Sequence, residues 1–70
     1  MDLKAVIDAY NRTRRQEGEP VMTQRRLAAL AGVAEGTVSR QARGHLTPSL
    51  PTLRAYADVL GLDVRDLVAA

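Results

Sequence analysis

The chain has no cysteine, no phenylalanine and no tryptophan, and it holds one histidine and two tyrosines. Without cysteine there is neither a disulfide nor a thiolate metal site to stiffen so small a protein. His45 alone cannot build a zinc site. The scarcity of aromatics argues against stacking on single-stranded nucleic acid, which needs aromatic platforms. No apolar run approaches the ~20 residues that span a bilayer. The N-terminus lacks the basic segment and apolar core of a signal peptide, so a cytoplasmic location is expected. There is no paired-carboxylate or nucleophile–base constellation and no Gly-rich phosphate loop, which speaks against an enzyme. No cofactor is implied.

What is present is a 70-residue chain of 46% hydrophobic content, dominated by Leu, Ala and Val. That length allows one domain, residues 1–70, with a modest core. No stretch shows strand periodicity, and the expected fold is all-α: five short helices around one core.

The organising stretch is Thr23–Gly44, TQRRLAALAGVAEGTVSRQARG. Thr23 is a good N-cap. Leu27, Leu30 and Ala31 share one face at helical spacing, and Ala28 is small where a second helix must cross. Gly32 stands where a helix ends in a left-handed residue. Val33 and Val38 continue the apolar face, which leaves Glu35, Gly36, Ser39, Arg40 and Arg43 pointing outward. Two short helices joined by a tight turn, a helix-turn-helix, are therefore expected over about 23–44.

Around this unit, Asp2 caps a first helix of about fourteen residues ending near Arg15 or Gln16. Its stripe is Leu3, Val6, Ile7 and Tyr10, with Lys4 and Asp8 pairing on the opposite side. Gly18 and Pro20 mark a connector, with Val21 or Met22 anchoring it to the core. Ser49 caps a fourth helix over 50–60, with Leu50, Leu53, Ala57 and Leu60 inward and Tyr56 at the margin. Gly61 ends it, and Asp63 caps a last helix with Asp66 completing an acidic capping box. Leu67 and Val68 are expected to pack inward, and Leu62 to bridge the last two helices.

Charge is unevenly distributed. The net charge is +2. Between Arg12 and His45, seven arginines face only Glu17, Glu19 and Glu35, a surplus of four positive charges. The flanks set Lys4, Arg54 and Arg65 against five aspartates, a deficit of two. A polyanionic partner suits this asymmetry, with a merely solvated basic surface as the alternative. Arg12, Arg14 and Arg15 either oppose the helix dipole or reach phosphate. Gln24 and Thr37, near helix starts, are phosphate-binding candidates. Arg25 at the same end and Arg43, His45 and Thr47 on the exit loop join them, although Arg25 and His45 equally serve solubility.

From Thr23 onward the chain resembles the Cro/repressor, or xenobiotic-response-element, family of helix-turn-helix regulators. The residues that carry the resemblance are TQRRLAALAGV, TVSR, RG and TPSLPTLRAYADVLGLDVRDL, about two-thirds of the chain. It implies a lambda-repressor-like five-helix domain. Its second motif helix, about 34–43, would lie in the major groove of double-stranded DNA. The base-reading candidates are then Glu35, Gly36, Ser39 and Arg40. Arg40 could present its fork to guanine or only hold phosphate, and Glu35 could accept from cytosine or only favour the helix N-terminus. Gly36 admits close backbone approach or is a neutral surface glycine. A homodimer on an inverted repeat is expected, with Leu62, Val64 and Val68 as its candidate surface. A repressor is the expected role. The alternatives are an antitoxin-type or partner-binding regulator, or the DNA-binding head of a longer protein.

Departures from the family pattern are Ala34 in place of a Ser/Thr cap, a connector about three residues longer, and Gln41–Ala42 where the family has an apolar residue and a glutamate. That glutamate commonly pairs with an arginine of the first helix. Without it, Arg12, Arg14 or Arg15 is expected to be free.

Overall fold

The computed structural model describes residues 1–70 and contains five helices and no strand: α1 Leu3–Gln16, α2 Gln24–Ala31, α3 Glu35–Ala42, α4 Leu50–Leu60 and α5 Val64–Ala69. Each starts and stops for a local reason. The Asp2 carboxylate accepts from the Ala5 N–H at 3.0 Å, and the Thr23 hydroxyl from the Arg26 N–H at 3.0 Å. Ser49 caps α4, with Pro51 in its first turn. Gly32 and Gly61 end α2 and α4 at φ +72° and +67°, a left-handed conformation that only glycine adopts cheaply. The N–H groups that follow, of Val33 and Leu62, turn back to the carbonyls of Ala28 and Ala57.

α3 is the exception. Its N-cap, Ala34, offers no side-chain acceptor, and Gly36 lies inside the helix. An eight-residue helix with those defects holds its shape through tertiary contacts rather than propensity. Val38 supplies the main one and is fully buried.

The core gathers Leu3 and Ile7 of α1, Met22 of the connector, Leu27 and Ala28 of α2, Val38, four α4 residues and Leu67. α2 packs on both α3 and α4, α4 on α5, and α3 on α1. The chain ends also meet, since the Asp2 N–H donates to the Ala70 carbonyl at 3.2 Å.

Several expectations about burial are corrected. Leu30, Leu50 and Val68 are about half exposed, because each lies at the edge of its helix's stripe and no neighbour covers that edge. Tyr56, expected at the margin, is fully buried beside Leu53, Ala57 and Leu60. In α1 the buried line is Leu3, Ile7 and Asn11, while Val6 and Tyr10 only flank the core. Val21 is exposed and Met22 is the anchor. The Leu62 side chain is exposed and lines an open groove with Val6, Ala9 and Tyr10 of α1.

Asp63 and Asp66 do not form a capping box. The Asp63 carboxylate takes the Arg65 backbone N–H and guanidinium instead. The Arg65 side-chain bonds, then the backbone one, hold Asp63 below the usual carboxylate range.

Candidate nucleic-acid interface

The starts of α2 and α3 lie side by side. Arg25, in the first turn of α2, donates from Nε to Oε2 of Glu35, the first residue of α3, at 3.5 Å. Both side chains are well exposed, so the pair adds little to stability; exposed pairs contribute about 0–1 kcal/mol. Its effect is geometric. It brings together two helix N-termini whose first N–H groups have no intrahelical acceptor, an arrangement that favours an anion. Gln24 and Thr37 stand half-buried near these same starts.

The outer face of α3 carries Gly36 and Arg40, one helical turn apart and both exposed. The Arg40 side chain runs back toward the helix start, with Nη1 3.9 Å from where a Cβ on Gly36 would stand. Gly36 is therefore the open floor beneath the Arg40 guanidinium. Ser39 is half-buried, more inward than the helical wheel suggests. Past the helix, Gly44 turns left-handed at φ +79°, and the His45 N–H closes on the Arg40 carbonyl at 2.9 Å. Arg43, His45 and Thr47 are exposed along this exit. Pro48 is buried and ties the loop down before α4.

Of the three arginines of which one was expected to be free, Arg14 is engaged. Its Nε donates to the Pro20 carbonyl at 3.1 Å, and its guanidinium lies 5.5 Å from the centre of the Tyr10 ring. The longer connector supplies that carbonyl and so occupies the arginine. Arg12 and Arg15 remain exposed on α1.

Three residues that frame this face were not singled out as functional. Asn11 is buried and bonded to both backbone groups of Met22. Gln41, on the inner side of α3, accepts through Oε1 from the buried Tyr56 hydroxyl of α4. Burial pushes the Tyr56 phenol above its ordinary pKa of 10.0, which keeps it a donor. The spacing held a signal for two of them. Asn11 continues the i, i+4 line of Leu3 and Ile7, and Tyr56 falls between Leu53 and Leu60 on the buried stripe of α4.

The arrangement of α2, the left-handed turn at Gly32 and an outward-facing α3 defines a helix-turn-helix DNA-binding fold. A helix-turn-helix family model matches residues 22–67, about two-thirds of the chain and all of α2 through α4. The chain belongs to the Cro/repressor (xenobiotic-response-element) helix-turn-helix family, whose members are DNA-binding regulators rather than enzymes. No curated protein and no solved structure matches the chain. No helix is long and apolar enough to cross a membrane.

Proposed function

We propose that residues 1–70 act as one operator-binding unit, a repressor that occupies an inverted-repeat site as a homodimer. The observation that carries this reading is the uncovered outer face of α3, exposed at Glu35, Gly36 and Arg40 beside the start of α2. An eight-residue helix is about 12 Å long, a length that suits insertion into the major groove.

In that pose Arg40 is the principal base reader, its fork suited to guanine O6 and N7. Glu35, Gly36 and Ser39 lie at the same face. Gln24, Arg25, Thr37, Arg43, His45 and Thr47 contact phosphates, which positions the helix without reading sequence. Glu35 pairs with Arg25 in the free protein, so a phosphate that takes up Arg25 releases the Glu35 carboxylate toward a cytosine amino group. The dimer surface includes Leu62, Val64 and Val68. Leu62 and Val68 support it by their exposure, while half-buried Val64 backs them from the core edge.

Selection from random duplexes at a fixed salt concentration tests this. The expected motif is two symmetric half-sites about one helical turn, ~34 Å, apart. A pool with no enriched motif refutes sequence-specific binding, and a single asymmetric half-site refutes the dimer.

A further inference from the structure

We propose that Tyr56 and Gln41 form a positioning pair that sets the rotation of α3 about its own axis, and with it the aim of Arg40. This rests on the operator-binding reading above.

α3 has little of its own to hold it in place, since it is short, uncapped by any side chain and interrupted by Gly36. Two of its side chains are buried, Val38 and Gln41. Val38 is an apolar anchor, and an apolar contact tolerates sliding and small rotation. Gln41 lies one turn further along, and its bond from Tyr56 is directional. α3 packs on α2 and touches α1. The hydrogen bond from Tyr56 is its only side-chain hydrogen bond to α4. Arg25 to Glu35 ties the start of α3 but is exposed, so the buried bond near the other end is the one that water does not compete for.

The geometry amplifies small errors. A rotation of about 20° carries a group ~6 Å from a helix axis through roughly 2 Å. A bidentate base contact tolerates only about 0.5 Å of misplacement. Gln41 directly follows Arg40 in the chain, so a rotation of α3 at Gln41 carries the Arg40 backbone and Cβ with it. The exit turn moves with it, because the Gly44 N–H donates to the Gln41 carbonyl at 3.1 Å.

The test compares Tyr56→Phe, Gln41→Leu, the double variant and Gln41→Glu. Each is measured for affinity to the selected duplex, to that duplex changed at the base pair that Arg40→Ala identifies, and to an unrelated duplex. Tyr56→Phe is expected to lower the discrimination ratio about tenfold and leave affinity for the unrelated duplex within about twofold. The double variant leaves no buried polar group without a partner and keeps its melting temperature, yet its ratio stays low. Gln41→Glu buries a charge and lowers the melting temperature, but it still accepts from the phenol and holds its ratio within about threefold of wild type.

A double variant as stable as wild type with an unchanged ratio overturns the proposal. Should the double variant fail to fold, amide exchange in Tyr56→Phe decides. Faster exchange at Arg43, Gly44 and His45 against an unchanged α2 supports the pair, and uniform exchange overturns it. A wild-type protein that prefers no duplex refutes operator binding itself and takes the positioning role with it. Retained preference in every variant refutes the positioning role alone.

Discussion

Asn11 satisfies both backbone groups of Met22: its Nδ2 donates to the Met22 carbonyl at 2.8 Å, and its Oδ1 accepts the Met22 N–H at 2.6 Å. One α1 side chain thus substitutes for a strand or helix partner at the point where the connector enters the core. It also places Thr23, the cap of α2, at the residue after Met22.

Asn11→Ala leaves the Met22 N–H and carbonyl without their partner, a penalty of about 1–3 kcal/mol for each buried group. Urea unfolding is expected to show a lower midpoint with an unchanged slope. In so small a domain that loss is a large fraction of the total stability. Asn11→Asp keeps the acceptor but removes the donor and buries a charge, so it should be no better than alanine near neutral pH.

Gly36 and Gly32 respond oppositely to the same substitution. Gly36 has helical geometry, and a Cβ there meets only the Arg40 Nη1 at 3.9 Å, an ordinary contact. Gly36→Ala should therefore raise stability by about 0.5–1 kcal/mol. Gly32 has open space around it but a φ of +72°, and Gly32→Ala should lower stability by about 1–2 kcal/mol. Thermal denaturation of the two variants checks both signs.

Arg40 and Arg43 should separate specificity from affinity. Arg40→Ala is expected to cost about 1–3 kcal/mol of discrimination at one base pair. Arg43→Ala should weaken binding to all duplexes alike and reduce the salt slope by about one unit. Titrations at several salt concentrations with matched and altered duplexes measure both, and identical behaviour of the two variants would contradict the division of roles.

Tyr56 makes stability fall in alkali. Its folded-state pKa lies above the ordinary value of 10.0 because burial disfavours the phenolate. The folded protein therefore holds this proton more tightly than the unfolded chain does. The contribution is fully present below pH 10.0 and is lost as pH rises through the folded value. Tyr56→Phe should show a shallower decline in urea midpoint above that pH than wild type does.

Much of the frame was legible in the sequence because its determinants are local. Asp2, Thr23, Ser49 and Asp63 cap helices, and Gly32 and Gly61 end them in left-handed turns, through interactions with residues a few positions away. The span of α4 and the length of α1 follow from the same short-range rules. The family itself was readable from spaced motifs between Thr23 and Leu67.

Where local rules met a competitor, they lost. Asp66 is placed to complete a capping box, but the Asp63 carboxylate accepts the N–H and guanidinium of Arg65 in place of the Asp66 N–H that the box requires. The missing glutamate leaves Arg12 and Arg15 exposed, but it does not free Arg14, because a carbonyl of the longer connector comes within its reach.

Sequence alone determined where the helices begin and end, which family they build and which stretch carries the motif, because caps, turns and periodicity act over one or two turns of chain. Tertiary structure decided which edge of each apolar stripe is covered. Leu30, Leu50 and Val68 were left outside, and Tyr56 was drawn in. It also decided the polar pairs Asn11–Met22, Arg25–Glu35 and Tyr56–Gln41. Those pairs join residues ten or more positions apart. Hydrogen bonds need their partners within about 3 Å, and only the packing of whole helices sets such distances. The face of α3 is thus written in the sequence, and its aim is set by the helices behind it.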